Sequence, residues 1–165
     1  MPTSLKQGKD IITNWVFRQD DIKSFVDVGI GNGTYLHLIG EYQYKWTGIE
    51  IYEEYIKRFE LDRRYHKIIQ GDARDIELPE GDCVILGNVL EYMGKIEARK
   101  LFKKIDKKYK HVIVSILFDY AEPQRGGNNP FNNQLAVWSK AELLKLIPAT
   151  YEVKEFRSPV AVFIK

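Results

Sequence analysis

The chain predicts an α/β fold: a mostly parallel sheet with helices on both faces, three layers in the order α-β-α. Three observations predict it. Apolar runs of strand length alternate with helix-period segments along the chain, the pattern of a parallel sheet with crossover helices. The first such run leads into Gly29-Ile30-Gly31-Asn32-Gly33, a glycine-rich turn between strand and helix. Asp27, Glu50, Asp72 and Asn88 all fall at or near strand ends. In sheets of this kind ligands sit beyond the C-terminal ends of the strands, so these groups are expected to converge.

The elements follow in order. Ser4 and Gln7 have the spacing of a capping box, opening a helix that carries Ile11, Ile12 and Trp15. Residues 24–28 have the β-branched and aromatic character of a strand. Leu36, Leu38 and Ile39 place a helix over 34–42. The alternation continues with strand 46–50, helix 52–60, strand 66–70, strand 82–87, helix 96–108 and strand 111–117. A loop fills 119–138, a length that in a compact domain usually marks function or disorder. Ser139 and Glu142 form a second capping box, whose helix stops near Pro148. Segments 151–156 and 160–164, joined across Arg157-Ser158-Pro159, read as a closing hairpin. No repeat or linker interrupts the chain, so residues 1–165 are expected to form a single domain.

The glycine turn carries the first chemical information. Glycine permits positive φ and lets a ligand approach the backbone closely. The spacing is G-x-G-x-G, not the G-x-G-x-x-G of pyrophosphate-binding turns. Asp27, just before the turn, disfavours a pyrophosphate and attracts a cation. S-adenosyl-L-methionine fits that charge, having a sulfonium, an ammonium and no phosphate. The run Trp46-Thr47-Gly48-Ile49-Glu50 ends on an acid, at roughly the 20-residue offset where a carboxylate meets ribose hydroxyls in βαβ sites. A solvated strand-end glutamate is the plainer alternative. Lys67-Ile68-Ile69-Gln70 leads into Gly71-Asp72-Ala73, where Asp72 is placed to accept from an adenine amino group, to cap a helix, or both.

Together these stretches resemble the class I S-adenosylmethionine-dependent methyltransferases, over nearly the whole chain. Asp27-Val28-Gly29-Ile30-Gly31-Asn32-Gly33 is similar to the family's first motif, Glu50 to its ribose-binding acid and Gly71-Asp72-Ala73 to its adenine-side motif. The run from Leu78 to Tyr92, with Gly87-Asn88-Val89-Leu90, resembles the fourth-strand region. The resemblance implies a Rossmann-like sheet of seven strands whose last strand is antiparallel, and S-adenosyl-L-methionine as the cofactor. It implies a cofactor site of Asp27, Gly29, Gly31, Gly33, Glu50, Asp72, Ala73 and Asn88, with no metal. The implied reaction is direct methyl transfer to an oxygen, nitrogen or carbon acceptor, in which holding the reactants together supplies much of the catalysis. Family members often carry Glu-His after the fourth strand; this chain has Glu91-Tyr92. Glu91 and Tyr92 are the acceptor-side catalytic candidates, with capping and packing as the alternative, and no general base is assigned. His66 and His111 fall near strand starts, the wrong end of the sheet, and His37 lies in the helix after the turn.

Composition bounds the rest. Hydrophobic residues make up 44% and charged residues 29%, as in globular chains, and no apolar run is long enough for a membrane span. Met1-Pro2-Thr3-Ser4 lacks the apolar core of a signal peptide. The lone cysteine, Cys83, reads as core packing and favours a reducing, cytoplasmic setting. With 25 basic and 23 acidic residues, the charge demands no nucleic acid. The basic series Lys95, Arg99, Lys100, Lys103, Lys104, Lys107, Lys108 and Lys110 reads first as a solvated helix face, and otherwise as a docking face for an acidic partner.

The acceptor stays unidentified. No Asn/Asp-Pro-Pro-Tyr follows the fourth strand, as it does in enzymes methylating base amino groups, and no Pro-Cys nucleophile serves base C5 chemistry. A small molecule or glycan precursor is preferred. The 119–138 loop is the acceptor-site candidate, with Phe131 and Trp138 available for stacking or for closing the core edge. It resembles a segment of a bacterial subgroup with Gly-Asn-Pro-Tyr and His-x-x-x-Trp, but Phe131 replaces the tyrosine and Gln134 the histidine. Two alternatives remain: a methyltransferase-like partner protein without catalysis, and an RNA or protein methyltransferase.

Overall fold

A computed structural model describes residues 6–122 and 129–165. Its elements are α1 (Lys9–Val16), β1 (Ser24–Val28), α2 (Thr34–Ile39), β2 (Lys45–Glu50), α3 (Glu53–Arg58), β3 (Lys67–Gln70), β4 (Cys83–Gly87), α4 (Lys95–Lys108), β5 (His111–Leu117), α5 (Lys140–Leu146), β6 (Glu152–Arg157) and β7 (Val160–Ile164). All seven strands join one sheet in the order β3-β2-β1-β4-β5-β7-β6. The β3-β2-β1-β4-β5 ladder is parallel. β7 runs antiparallel to both neighbours, so the seven-stranded sheet with a reversed last strand is as expected.

The period-2 alternation of the strands builds the three layers. Val26, Val28, Val84, Leu86, Val112, Val114 and Phe163 point to one face and pack with Leu101, Phe102 and Ile105 of α4 and Leu143 of α5. Phe25, Cys83, Ile85, Ile113, Val160 and Val162 point to the other, against Ile12 and Val16 of α1 and Leu36 and Ile39 of α2. Cys83 is fully buried, and burial pushes its thiol well above the ordinary range. It is a packing residue, as read from the sequence.

Several boundaries differ from expectation, each for a local reason. The expected cap residue Ser4 lies outside the described residues. The first helix begins at Lys9, with Gly8 in the left-handed region before it, and the Gln7 side chain donates to the Arg157 carbonyl instead. α2 stops at Ile39, not 42, because Gly40 adopts φ 129° and cannot continue a helix. The second capping box is present: the Ser139 hydroxyl accepts from Glu142 N–H, and the Glu142 carboxylate accepts from Ser139 N–H. That carboxylate also meets Lys95 Nζ at 2.6 Å, joining α5 to the start of α4.

Trp138 takes the second of its two expected places, at the core edge. Its ring is wholly buried in the core and flanked by Lys95 and Arg99, so it is not a platform for an acceptor. Other members of the basic series are also engaged within the chain: Lys104 Nζ donates to the Arg74 carbonyl, Lys108 pairs with Glu80 and Lys110 with Asp21.

Replacing Ser139 by Ala removes the cap acceptor for α5. The expected loss is about 1 kcal/mol of stability, read as a lower midpoint in urea unfolding; an unchanged midpoint would show the cap to be dispensable.

Candidate active site

A cleft opens at the C-terminal edge of the parallel strands, with about 1190 Å³ of empty space including its solvent-facing mouth. The turn after β1 forms one wall through Gly29, Ile30, Gly31 and Asn32, and β2 contributes Glu50. Gly71, Asp72, Ala73 and Arg74 line it beyond β3, and Gly87, Asn88, Val89, Tyr92 and Met93 beyond β4. Leu117, Glu122, Asn129, Phe131 and Asn132 close it beyond β5. The sheet places β1 between β2 and β4, which are reached by crossovers on opposite sides. The cleft therefore lies at the switch point where doubly wound sheets bind ligands.

The glycine turn is built for close approach. Gly29, Gly31 and Gly33 have φ of 69°, 55° and 75°, angles that strain any residue with a Cβ. A Cβ on Gly29 would also stand 2.7 Å from Val89 Cγ2 across the cleft wall. Gly33 does not face the cleft; it precedes α2, and its N–H donates to the Ile30 carbonyl at 2.8 Å.

Glu50 holds three strand tips together. Its Oε2 accepts from Gly31 N–H at 3.0 Å and its Oε1 from Tyr52 N–H at 2.9 Å, while its carbonyl accepts from Gly71 N–H at 2.9 Å. Burial raises the carboxyl pKa, and the backbone donors oppose that rise. A carboxylate offers about four lone-pair positions, so capacity for two ribose hydroxyls remains after both backbone bonds. The cleft wall also suits a cationic ligand. Its charged groups among the described residues are the acids Glu50, Asp72 and Glu122 and one base, Arg74, which is paired with Asp72. Glycine walls, a half-satisfied carboxylate and an acidic lining fit an adenosyl sulfonium.

The remaining site residues from the sequence reading divide into two groups. Ala73, Asn88 and Tyr92 line the cleft. So does Asp72, but Arg74 engages both its oxygens, with Arg74 N–H to Oδ1 at 2.9 Å and Arg74 Nε to both at 2.9 Å. That contact holds the Asp72 carboxyl below the usual range. Asp27 and Glu91 do not line the cleft; they lie beneath its floor. Asp27 is 2% exposed and accepts from the Tyr65 hydroxyl at 2.7 Å. Desolvation drives its pKa up to about 7; the Tyr65 bond opposes that shift and the Glu50 charge adds to it. Glu91 is 0% exposed. Its Oε1 accepts from Asn88 Nδ2 at 2.9 Å, and burial lifts its pKa to about 7. Its carbonyl accepts from Leu135 and Ala136 N–H at 2.8 and 3.0 Å, tying the β4 tip to the loop after β5. Glu91 therefore holds Asn88 and the loop from below, whereas Tyr92 lines the cleft.

Three contributors escaped the sequence reading. Tyr65 supports Asp27 from 38 residues away, a pairing no local pattern reveals. Tyr35 lines the cleft; its ring lies so close to Gly87 that a Cβ there would be 2.0 Å from Tyr35 Cε2. Glu122 accepts from the Tyr92 hydroxyl at 2.6 Å. Its only sequence signal was an acid early in the long loop. The histidines are where expected: His66 Nδ1 accepts from Trp46 N–H and His111 contacts Asp21, while His37 is exposed on α2.

Comparison with known proteins agrees with this geometry. The methyltransferase domain family profile matches residues 26–111, just over half of the chain, and the chain belongs to that family. It is an S-adenosylmethionine-dependent methyltransferase, and S-adenosyl-L-methionine is its cofactor. Among solved structures it resembles the N-terminal domain of EvdMO1 crystallised in the presence of SAH and D-fucose (TM-score 0.70, 15% identity, 98% of this chain and 82% of that one). It also resembles magnesium protoporphyrin IX methyltransferase from Synechocystis PCC 6803 with bound SAM (0.66, 15%, 96% and 77%). Streptomyces venezuelae DesVI is a third such structure (0.69, 16%, 94% and 89%). At these identities the likeness is one of fold. A sequence search among curated proteins finds no match.

Two outcomes are expected from this geometry. Gly29→Ala should lower stability by about 1–3 kcal/mol, the usual cost of a residue held in such a backbone region, as read by urea unfolding. Asp27 has a folded pKa near 7, far above its ordinary 3.8. The native state thus keeps a proton that the unfolded chain releases. The stability this contributes is complete below about pH 4 and is lost as pH rises through about 7. Asp27→Asn should therefore gain on wild type between about pH 5 and about pH 8; a difference independent of pH would contradict a protonated Asp27.

Proposed function

We propose that residues 1–165 act as one catalytic domain that moves a methyl group from S-adenosylmethionine to a small, sugar-related acceptor in the cytoplasm. The observation that carries the reading is Glu50, fixed by two backbone donors with acceptor capacity left toward the cleft. In this reading Glu50 takes the ribose hydroxyls, and Gly29 and Gly31 let the cofactor lie against the turn. Asp72 and Ala73 border the adenine, with Asp72 sharing its oxygens with Arg74. Asn88 faces the methionine end, and Asp27 and Gly33 support the turn from below. When bound, the cofactor supplies an electrophilic methyl group on sulfur. Tyr92 faces the acceptor, and Glu91 orients Asn88 and anchors the loop segment at Leu135 and Ala136.

A sugar-related acceptor draws support from EvdMO1, whose crystals were obtained with D-fucose alongside SAH. The cytoplasmic setting rests on the single buried cysteine. Among the described residues no helix is long and apolar enough to cross a membrane. The reading as a partner protein is weaker, because the glycine turn and its carboxylate clamp are both in place. An RNA- or protein-docking helix is also weaker, because Lys95, Lys104 and Lys108 are engaged within the chain.

Glu50→Ala should weaken binding of S-adenosylmethionine roughly 10- to 150-fold in calorimetry, the value of charge-assisted hydrogen bonds to the ribose. Unchanged affinity would remove Glu50 from the site.

A further inference from the structure

The acid on the far wall of the cleft has a role the cofactor does not require. Glu122 follows β5, on the opposite side of the switch point from the Glu50 and Asp72 tips. The Tyr92 hydroxyl, from the β4 side, donates to Glu122 Oε2 at 2.6 Å. The backbone of Glu122 is held as well: its N–H donates to Gln134 Oε1 at 2.6 Å. Gln134 Nε2 donates in turn to the Tyr120 and Ala136 carbonyls at 3.0 and 3.1 Å. Gln134 thus takes a structural place at the position where the resembled segment has a histidine. Glu122 and Tyr92 share this end of the cleft with Met93, Leu117 and the half-exposed ring of Phe131. A carboxylate oriented by a donor, beside an apolar wall, suits the removal of a proton.

Resting on the methyltransferase reading above, we infer that Glu122, oriented by Tyr92, is the proton acceptor of the transfer, and that the methyl acceptor is a neutral hydroxyl compound rather than a carboxylate. The acceptor oxygen bonds to the methyl carbon, breaking the carbon–sulfur bond and leaving its electron pair on sulfur. The hydroxyl proton passes to a Glu122 carboxylate oxygen and from there to water. A carboxylate acceptor would need no base and would be repelled by Glu122. Tyr92 donates to the carboxylate, so it positions the base and is not itself the base.

The probe is methyl-labelled S-adenosylmethionine with the dialysable fraction of a cell extract, run beside calorimetry with S-adenosylhomocysteine. Wild type should place label in a product stable to mild alkali, as a methyl ether is. Glu122→Gln should bind S-adenosylhomocysteine like wild type yet lose roughly 100-fold or more in turnover, with Glu122→Asp restoring part of it. Tyr92→Phe should lower turnover less and shift its pH profile. Label released as methanol by alkali marks a methyl ester and overturns the inference. So does Glu122→Gln within threefold of wild type, or wild type that binds S-adenosylhomocysteine but labels nothing. Wild type that fails to bind S-adenosylhomocysteine sinks the methyltransferase reading itself, a distinct result.

Discussion

The Glu50 carboxylate is the constraint on which the site depends. One residue accepts through two side-chain oxygens and one carbonyl from Gly31, Tyr52 and Gly71. Three strand tips that would otherwise be independent loops are thereby held in one geometry. Pairing β2 between β1 and β3 brings those tips within reach, and the positive φ of Gly31 aims its N–H at the carboxylate. The same carboxylate then presents its remaining lone pairs to the cleft. In the proposed function, structural clamp and ribose acceptor are one group, and the protein's own hydrogen bonds hold the turn, which limits the ordering cost of binding.

Beneath this surface lies a buried polar layer. Asp27 with Tyr65 and Glu91 with Asn88 stand under the two halves of the cleft floor. Each carboxyl is buried and pushed toward neutrality at physiological pH. Buried groups of this kind destabilise a fold unless hydrogen-bonded; Tyr65 partners Asp27 from a distant segment, while Glu91 Oε1 takes Asn88 from its own strand tip and Glu91 Oε2 has no partner among the described residues. Glu91 reaches furthest: its side chain fixes Asn88 and its carbonyl pins Leu135 and Ala136. The loop after β5 is thus fastened to the β4 tip at the edge of the cleft.

Much of this was legible in the sequence because it is local. The strand at 24–28, the glycine turn and the acid ending the second strand are contiguous patterns, and the structure keeps each one. The capping box at Ser139 was read correctly for the same reason. What was illegible is long-range. Asp27 looked like a ligand-facing acid because its position resembles one; Tyr65, far along the chain, draws it into the interior instead. Asp72 is the local exception: Arg74, only two residues on, folds back over it, and no residue pattern marks that side-chain direction. Trp138 fits either stacking or closure of the core edge from its sequence, and its burial beneath Lys95 and Arg99 of α4 decides for closure. No local pattern marks Glu122, whose setting depends on a hydroxyl that Tyr92 contributes from the neighbouring strand tip.

The central claim is that one glycine-lined cleft, clamped by Glu50, receives the adenosyl moiety. Titrating isotope-labelled protein with S-adenosylhomocysteine and following backbone amide resonances tests this most directly. The account predicts the largest shifts at Gly29, Gly31, Gly71 and Gly87, with α5 and β6 quiet. Shifts centred on the basic face of α4, or none at saturating ligand, would contradict it.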